Sequence, residues 1–228
     1  KFKKIDGFIS FNIFYYSEKS LDLICKKLKK KLMILHKEST FTPLEEKNAP
    51  LIYKKKNDKT IADAITVYSK KQKEILLKSK IATSKQVFVN GCPRADYAFG
   101  LRKTKPEKNI IVFYLIEEQR SKNLATKKTK VNWKNLNNTT LKYLINFAKK
   151  NPDLEIFLKG KTGVHKKNDI YRKKMPLNIK FIEGGTGEKY LKLSKVIIAF
   201  NSTVIFETIA SNRKLIIPNF NNEKNEKK

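Results

Sequence analysis

Val196-Ile197-Ile198-Ala199-Phe200-Asn201-Ser202-Thr203-Val204-Ile205-Phe206-Glu207, continuing through Ala210 to Lys214-Leu215-Ile216-Ile217-Pro218, is the stretch that decides the fold. Its first five residues are continuously apolar, the mark of a strand buried on both faces. Asn201, Ser202 and Thr203 are residue types favoured at helix N-caps, and the segment after them, from Thr203 to Ala210, reads as a helix leading into a strand at Leu215 to Ile217. Strand, short polar turn, helix and strand together make one unit of a parallel α/β sheet. The free amides of the first helical turn, with the positive end of the helix dipole, form an anion site. Turns at the carboxyl ends of parallel strands line the ligand crevice. Thr203 and Glu207 lie four apart and share a helix face. That face is expected to look into the crevice while Ile205, Thr208 and Ile209 turn toward the sheet. Glu207 would then accept hydrogen bonds from paired hydroxyls, with Ser202 and Thr203 meeting phosphate. The competing reading is purely local: three capping residues and a carboxylate that complements the dipole.

Outward from this stretch the same alternation repeats. Upstream, Gly7 to Phe14, Leu32 to Leu35, Ala62 to Val67 and Val87 to Val89 read as strands, with helices at Ser17 to Lys30 and Lys70 to Lys80. Phe41 to Lys59, carrying Pro43 and Pro50, reads as a loop. After Phe99 the basic connector Leu101 to Lys108 has no apolar period and is expected to be a linker. Beyond it, Asn109 to Ile116, Leu154 to Leu158 and Ile179 to Ile182 read as further strands, with helices at Thr139 to Lys150 and Glu188 to Leu193. The expected fold class is α/β, with two Rossmann-like halves at 1–100 and 101–228 facing across a cleft, both incomplete. The chain opens without Met and closes in a polar tail, so it reads as a piece of a longer protein.

A hydrophobic fraction of 40% over 228 residues is enough to build cores. The net charge of +30 points first to nucleic acid or an anionic membrane surface. Only five of the 51 basic residues are Arg, however, and the Lys are spread over every segment. Arg is the residue suited to bidentate phosphate and base contacts, so no specific nucleic-acid partner is expected. Peripheral contact with an anionic membrane is compatible with the charge. Cys25 and Cys92 stand far apart without metal-ligand spacing, and no secretory signal precedes the first strand. The expected location is therefore the cytoplasm, with peripheral contact at the inner face of the membrane.

Two strings resemble a known family. "AFNSTVIFETIASNRKLIIPNF", from Ala199 to Phe220, looks like the donor-site signature of GT-B glycosyltransferases of bacterial surface carbohydrate biosynthesis, related to the CDP-glycerol glycerophosphotransferases. "VFVNGCPRADYAF", from Val87 to Phe99, resembles the inter-domain segment of that family, with its Gly-x-Pro-Arg-x-Asp string. The resemblance implies that Asn201, Ser202 and Thr203 hold a donor diphosphate and that Glu207 holds ribose or sugar hydroxyls. It implies that Gly91, Pro93, Arg94 and Asp96 shape the cleft floor. Arg94 either faces donor phosphate or pairs with Asp96. The sequence departs from the family at Asn212-Arg213, where a small residue and Gly are usual; Asn212 is then expected to take the left-handed conformation.

Other candidates are less specific. Lys159, Lys161 and His165 follow a strand end where side chains point at phosphate, or else are solvated cations in a Lys-rich chain. Gly184 and Gly185, with Gly187 beyond, sit between strand and helix and allow close backbone approach of a ligand, or simply make a turn. His36 and Glu38 end a strand of the first half, where a general base would deprotonate an acceptor hydroxyl; the alternative is a structural role. No Asp-x-Asp string, P-loop or intact GxGxxG is present, so neither metal nor cofactor is expected. The activity implied by the resemblance is transfer of a sugar from a nucleotide sugar to a surface polysaccharide, lipopolysaccharide or other lipid-linked acceptor. Glycerophosphate transfer from CDP-glycerol is the neighbouring alternative. A non-catalytic basic module binding nucleic acid or anionic lipid is the rival from another class.

Overall fold

The structure, a computed structural model, describes residues 4–12, 16–36, 47, 59–115, 133–160, 175–200 and 202–220. The chain divides into two compact units, Lys1–Pro93 and Arg94–Lys228. The division falls before residue 100, the boundary expected from the sequence, because a short helix at Asp96–Gly100 packs into the second unit. Its Ala98 shares an apolar cluster with Leu191, Ile197 and Val204.

The first unit carries β1 (Gly7–Ser10), α1 (Tyr16–Leu28), β2 (Lys31–Leu35), β3 (Ala64–Val67), α2 (Lys70–Lys78) and β4 (Val87–Val89). The strands form a parallel sheet in the order β1-β2-β3-β4. Alternation along each strand sends Leu32, Ile34, Ile65 and Val67 to one face, where they pack on Cys25 of α1 and Leu76 of α2. Ser69 starts α2, its Oγ accepting from the Gln72 amide at 3.2 Å while Gln72 Oε1 accepts from the Tyr68 amide at 3.1 Å. The arrangement resembles a capping box, except that the Gln72 side chain serves the amide of Tyr68, one residue before the N-cap, rather than that of Ser69 itself.

The second unit carries α3 (Asp96–Gly100), β5 (Ile110–Tyr114), α4 (Trp133–Lys150), β6 (Glu155–Lys159), β7 (Ile179–Ile182), α5 (Gly187–Leu193), β8 (Val196–Ile198), α6 (Val204–Ala210) and β9 (Lys214–Ile216). Its parallel sheet runs β7-β6-β5-β8-β9. The sequence order reverses between β5 and β8, which makes their carboxyl ends a topological switch point, the place where open α/β sheets bind ligands. Both faces are covered. Leu141, Leu144 and Ala148 of α4, spaced three and four apart, pack on Phe113, Ile156, Leu158 and Ile198. Opposite them, Ile110 and Val112 meet Tyr190, and Ile197 meets Leu191 and Val204.

The expected linker Leu101 to Lys108 is instead fastened to the second unit. Leu101 is buried, and the amides of Glu107 and Lys108 donate to the carbonyls of Lys192 and Leu193 at 3.2 and 3.0 Å. Arg213 completes the fastening: its Nε donates to Leu191 O at 3.1 Å, and its guanidinium also donates to Thr104 O at 2.7 Å and Thr104 Oγ1 at 3.1 Å. Asn212, directly before it, adopts φ 55, the left-handed conformation expected of it.

Candidate functional site

The carboxyl edge of the second sheet gathers most of the site candidates. β5 ends at Tyr114, β6 at Lys159 and β7 at Ile182, and Tyr114 and Lys159 are register partners. After β8 the chain reaches Ser202 and Thr203 and opens α6. Thr203 occupies the N-cap position without a side-chain capping bond, while Ser202 Oγ accepts from the Val204 amide at a long 3.4 Å. In the first α6 turn the Ile205 and Phe206 amides already donate to Ser202 O and Thr203 O at 3.2 and 3.0 Å, and the Val204 amide is the weakly committed donor at the switch point.

The buried stripe of α6 is Val204, Glu207, Thr208 and Ser211, a three-four spacing. This corrects two expectations: Ile209 lies on the exposed side rather than against the sheet, and Glu207 is buried beside Thr208 while Thr203 is exposed, so Thr203 and Glu207 do not present one open face. Thr208 is satisfied in the buried stripe by donating to Val204 O at 2.6 Å. Glu207 is 8% exposed, and its Oε1 lies 3.2 Å from Nε of Arg94. The structure thus joins a residue of the Val87 to Phe99 string to one of the Ala199 to Phe220 string. Arg94 pairs with Glu207; no Arg94 to Asp96 ion pair occurs among the described residues.

Beside Glu207 stands Tyr114, whose hydroxyl donates to Gly187 O at 3.0 Å. A Cβ built on Gly187 would meet Tyr114 Oη at 3.6 Å and Glu207 Oε2 at 3.8 Å, so the three residues share one spot. Burial first, then the Glu207 charge, pushes the Tyr114 phenol well above its ordinary pKa, and it stays protonated as a donor. Gly184 and Gly185, at φ +68 and +73, make the left-handed turn that carries the chain from β7 into α5.

Lys159 is not the solvated cation a Lys-rich chain allows. It is 7% exposed, and its Nζ donates to Gly160 O at 2.8 Å and lies 5.9 Å from the Tyr190 ring centroid. No carboxylate pairs with it among the described residues, and burial lowers its pKa. A buried ammonium without an anion is costly, and a phosphate oxygen would meet that need.

Other candidates lie elsewhere. His36, at the end of β2, is buried in the first unit, 3.4 Å through Nδ1 from Gln72 Nε2. Burial holds its pKa at about 4. The imidazole is neutral near pH 7 but covered, so this conformation does not present it to an acceptor. Gly91 takes φ +75, Pro93 opens the 3-10 turn Pro93–Ala95, and Asp96 is exposed in the first turn of α3. Glu38, Asn201, Lys161 and His165 lie outside the described residues.

Tyr114 and Tyr190 are not singled out by sequence reasoning, whereas Gly187 is, as part of the glycine cluster between β7 and α5. The available signal was a hydroxyl closing an otherwise apolar strand, Ile110 to Tyr114, at the sheet edge where ligands bind.

No protein-family model matches this chain, and no curated protein sequence matches it. Among solved structures it is similar to UDP-N-acetylglucosamine 2-epimerase from Rickettsia bellii, with TM-score 0.51 and 14% identity over 93% of this chain and 56% of that one. It is similar also to the wall teichoic acid polymerase TagF in a variant soaked with CDPG, with TM-score 0.51 and 14% identity over 97% of this chain and 55% of that one. The chain spans about half the length of these proteins. With the two parallel sheets and the strand reversal at β5 and β8, these likenesses give the fold: a pair of Rossmann-like α/β units of the GT-B kind.

Proposed function

We propose that the second unit holds the nucleoside diphosphate part of an activated donor, and that the chain is part of a transferase building a surface glycan or polyol-phosphate polymer. The reading rests on one observation: Arg94, Glu207 and Tyr114 meet at the switch point, and the adjacent strand ends in the buried cation Lys159, which has no carboxylate partner among the described residues. In this assignment Lys159 and the Ser202 and Thr203 amides carry the diphosphate charge. Glu207 receives a pair of hydroxyls from ribose or sugar, and Arg94 turns from the carboxylate to phosphate as the donor arrives. Tyr114 holds the start of α5 against the carboxylate.

An acceptor hydroxyl attacks the anomeric carbon, or the phosphorus of a glycerophosphoryl group. In glycosyl transfer the bond from the anomeric carbon to the diphosphate breaks and its electron pair leaves on the nucleoside diphosphate. In glycerophosphate transfer the phosphoanhydride bond breaks and its electron pair leaves on the nucleoside monophosphate. In both the acceptor hydroxyl gives its proton to a base or to solvent. Fixed donors aimed at that developing charge stabilise the transition state. Glycosyl transfer is the primary assignment, with glycerophosphate transfer second because the TagF likeness includes a complex with CDPG. A nucleotide-sugar epimerase would use the same donor site. Isothermal titration with UDP, CDP and GDP tests the assignment. Saturable binding of one of them, weakened on the order of tenfold or more by Glu207→Ala, is expected from loss of charge-assisted hydrogen bonds. Absence of binding to all three, or affinity indifferent to Glu207, rejects it.

A further inference from the structure

Glu207 is nearly buried, so a ligand meets its carboxylate only where a neighbour leaves room. Its two oxygens stand in different surroundings. Oε1 is taken by Arg94 Nε at 3.2 Å. Oε2 faces position 187, where a Cβ would stand 3.8 Å from it and 3.6 Å from Tyr114 Oη. The backbone does not require Gly there. Gly187 lies outside the left-handed range that Gly91, Gly184 and Gly185 adopt, and it opens α5, where Ala is the better helix former. Packing does not require it either, since 3.6 and 3.8 Å are ordinary van der Waals distances. What Gly187 provides is open space beside Oε2. Thr186, the N-cap of α5, makes no side-chain capping bond, and Tyr114 fixes the helix start by donating to Gly187 O at 3.0 Å. Gly187 and Tyr114 are both half-buried, so the notch between them and the carboxylate reaches solvent.

We infer that Gly187 is a specificity-determining residue: the space it leaves open admits a ribose hydroxyl to Glu207 Oε2, so the site takes ribonucleoside diphosphates and discriminates against their 2′-deoxy forms. A hydroxyl donating to a carboxylate lies about 2.7 Å from the oxygen. A methyl at position 187, 3.8 Å from Oε2, takes the room such a hydroxyl needs. Tyr114 Oη commits its proton to Gly187 O and keeps lone pairs that accept from the neighbouring hydroxyl of the same ribose. An analogue without the hydroxyl leaves a buried carboxylate oxygen unsatisfied, which is what makes such a site selective. This selectivity rests on the donor assignment and adds to it the pentose and the residue that selects it.

The test is isothermal titration of the full chain with UDP, CDP and GDP and with their 2′-deoxy forms. Wild type should bind its ribonucleotide on the order of tenfold more tightly than the 2′-deoxy form. Gly187→Ala should melt at or above the wild-type temperature by circular dichroism, yet cut that preference to about twofold or less, through loss of ribonucleotide affinity. Gly187→Ser, whose own hydroxyl can donate to Oε2, should do the same. Gly100→Ala, where a Cβ meets nothing within 4 Å, makes the same backbone change outside the notch and should keep the preference. The wild-type comparison needs no substitution, so equal affinity for the two sugars counts against the notch even where a variant melts early. Nucleotide binding that ignores the 2′-hydroxyl, a Gly187→Ala protein that keeps the preference, or a Gly100→Ala protein that loses it to the same extent overturns the role of Gly187 while the donor assignment stands. Absence of binding to all three diphosphates overturns both together.

Discussion

Replacing Lys159 by Met should make the unliganded protein more stable and its nucleotide binding worse. Met keeps the length and apolar stem of the side chain while removing a charge that is 7% exposed and has no carboxylate partner among the described residues. Desolvating an ammonium costs several kcal/mol. One charge-assisted bond to Gly160 O, about 1.5 to 3 kcal/mol, and a contact with the Tyr190 ring of about 0.5 to 2 kcal/mol offset most of it. The balance leaves a penalty of about 1 kcal/mol, which is about 2 to 4 °C in Tm for a chain of this size. The sign with pH follows from the lowered pKa of Lys159. Between its folded value and the ordinary lysine value of about 10.4 the unfolded chain binds more protons, so stability rises with pH. The advantage of Lys159→Met should therefore be full near pH 7 and fade as pH climbs toward and past that ordinary value. Differential scanning calorimetry across alkaline pH reads this, with exposed Lys142→Met as the control for net charge. In calorimetric titration the same variant should bind its nucleoside diphosphate on the order of tenfold more weakly. A Lys159→Met protein that melts lower than wild type, or binds nucleotide equally well, refutes the assignment of a cation held ready for an anion.

Three further outcomes follow from other parts of the fold. Arg213→Ala should lower stability by about 2 to 4 kcal/mol, because three hydrogen bonds to Leu191 and Thr104 are lost together, and urea melts measure it. Asn212→Gly should be neutral or stabilise by about 0.5 kcal/mol, whereas β-branched Asn212→Val at φ 55 should cost more than about 1 kcal/mol in the same assay. His36, with its folded pKa held at about 4, adds stability that is complete above about pH 6.5 and drains away as pH falls toward 4, by about 3 kcal/mol in all. Urea melts at pH 7 and pH 4.5 should show that loss in wild type and a smaller one in His36→Gln.

Much of the architecture is legible because buried parallel strands are nearly continuous apolar runs. Ile110 to Tyr114, Ile179 to Ile182 and Val196 to Ile198 announce themselves this way, as does the stripe Leu141, Leu144, Ala148 of α4. Asn212 was readable because a helix ending without Gly leaves few residues for the left-handed position. Long-range pairings were not readable from local pattern. Arg213 looks like an exposed cation at a helix end, and only the fold brings Thr104 and Leu191 to it. Leu101 to Lys108 lacks an apolar period because it is fastened by backbone bonds and by Arg213 rather than by a hydrophobic stripe. Ile209 is expected inward because Thr203 and Glu207 are taken as the crevice face, yet the helix phase set by Val204, Thr208 and Ser211 turns it out and brings Glu207 in. The Arg94 and Glu207 contact emerged only when two motifs, each read as local, met at one sheet edge.

The most direct measurement of the central claim is a map of backbone amide shifts on adding UDP or CDP to isotopically labelled protein. The account predicts saturable shifts clustered at Ser202, Thr203, Gly184, Gly185, Gly187 and Gly160, at the carboxyl ends of β6, β7 and β8. Shifts confined to exposed lysine segments, or to the opposite sheet edge around Asn109, Asn151 and Lys195, would contradict it.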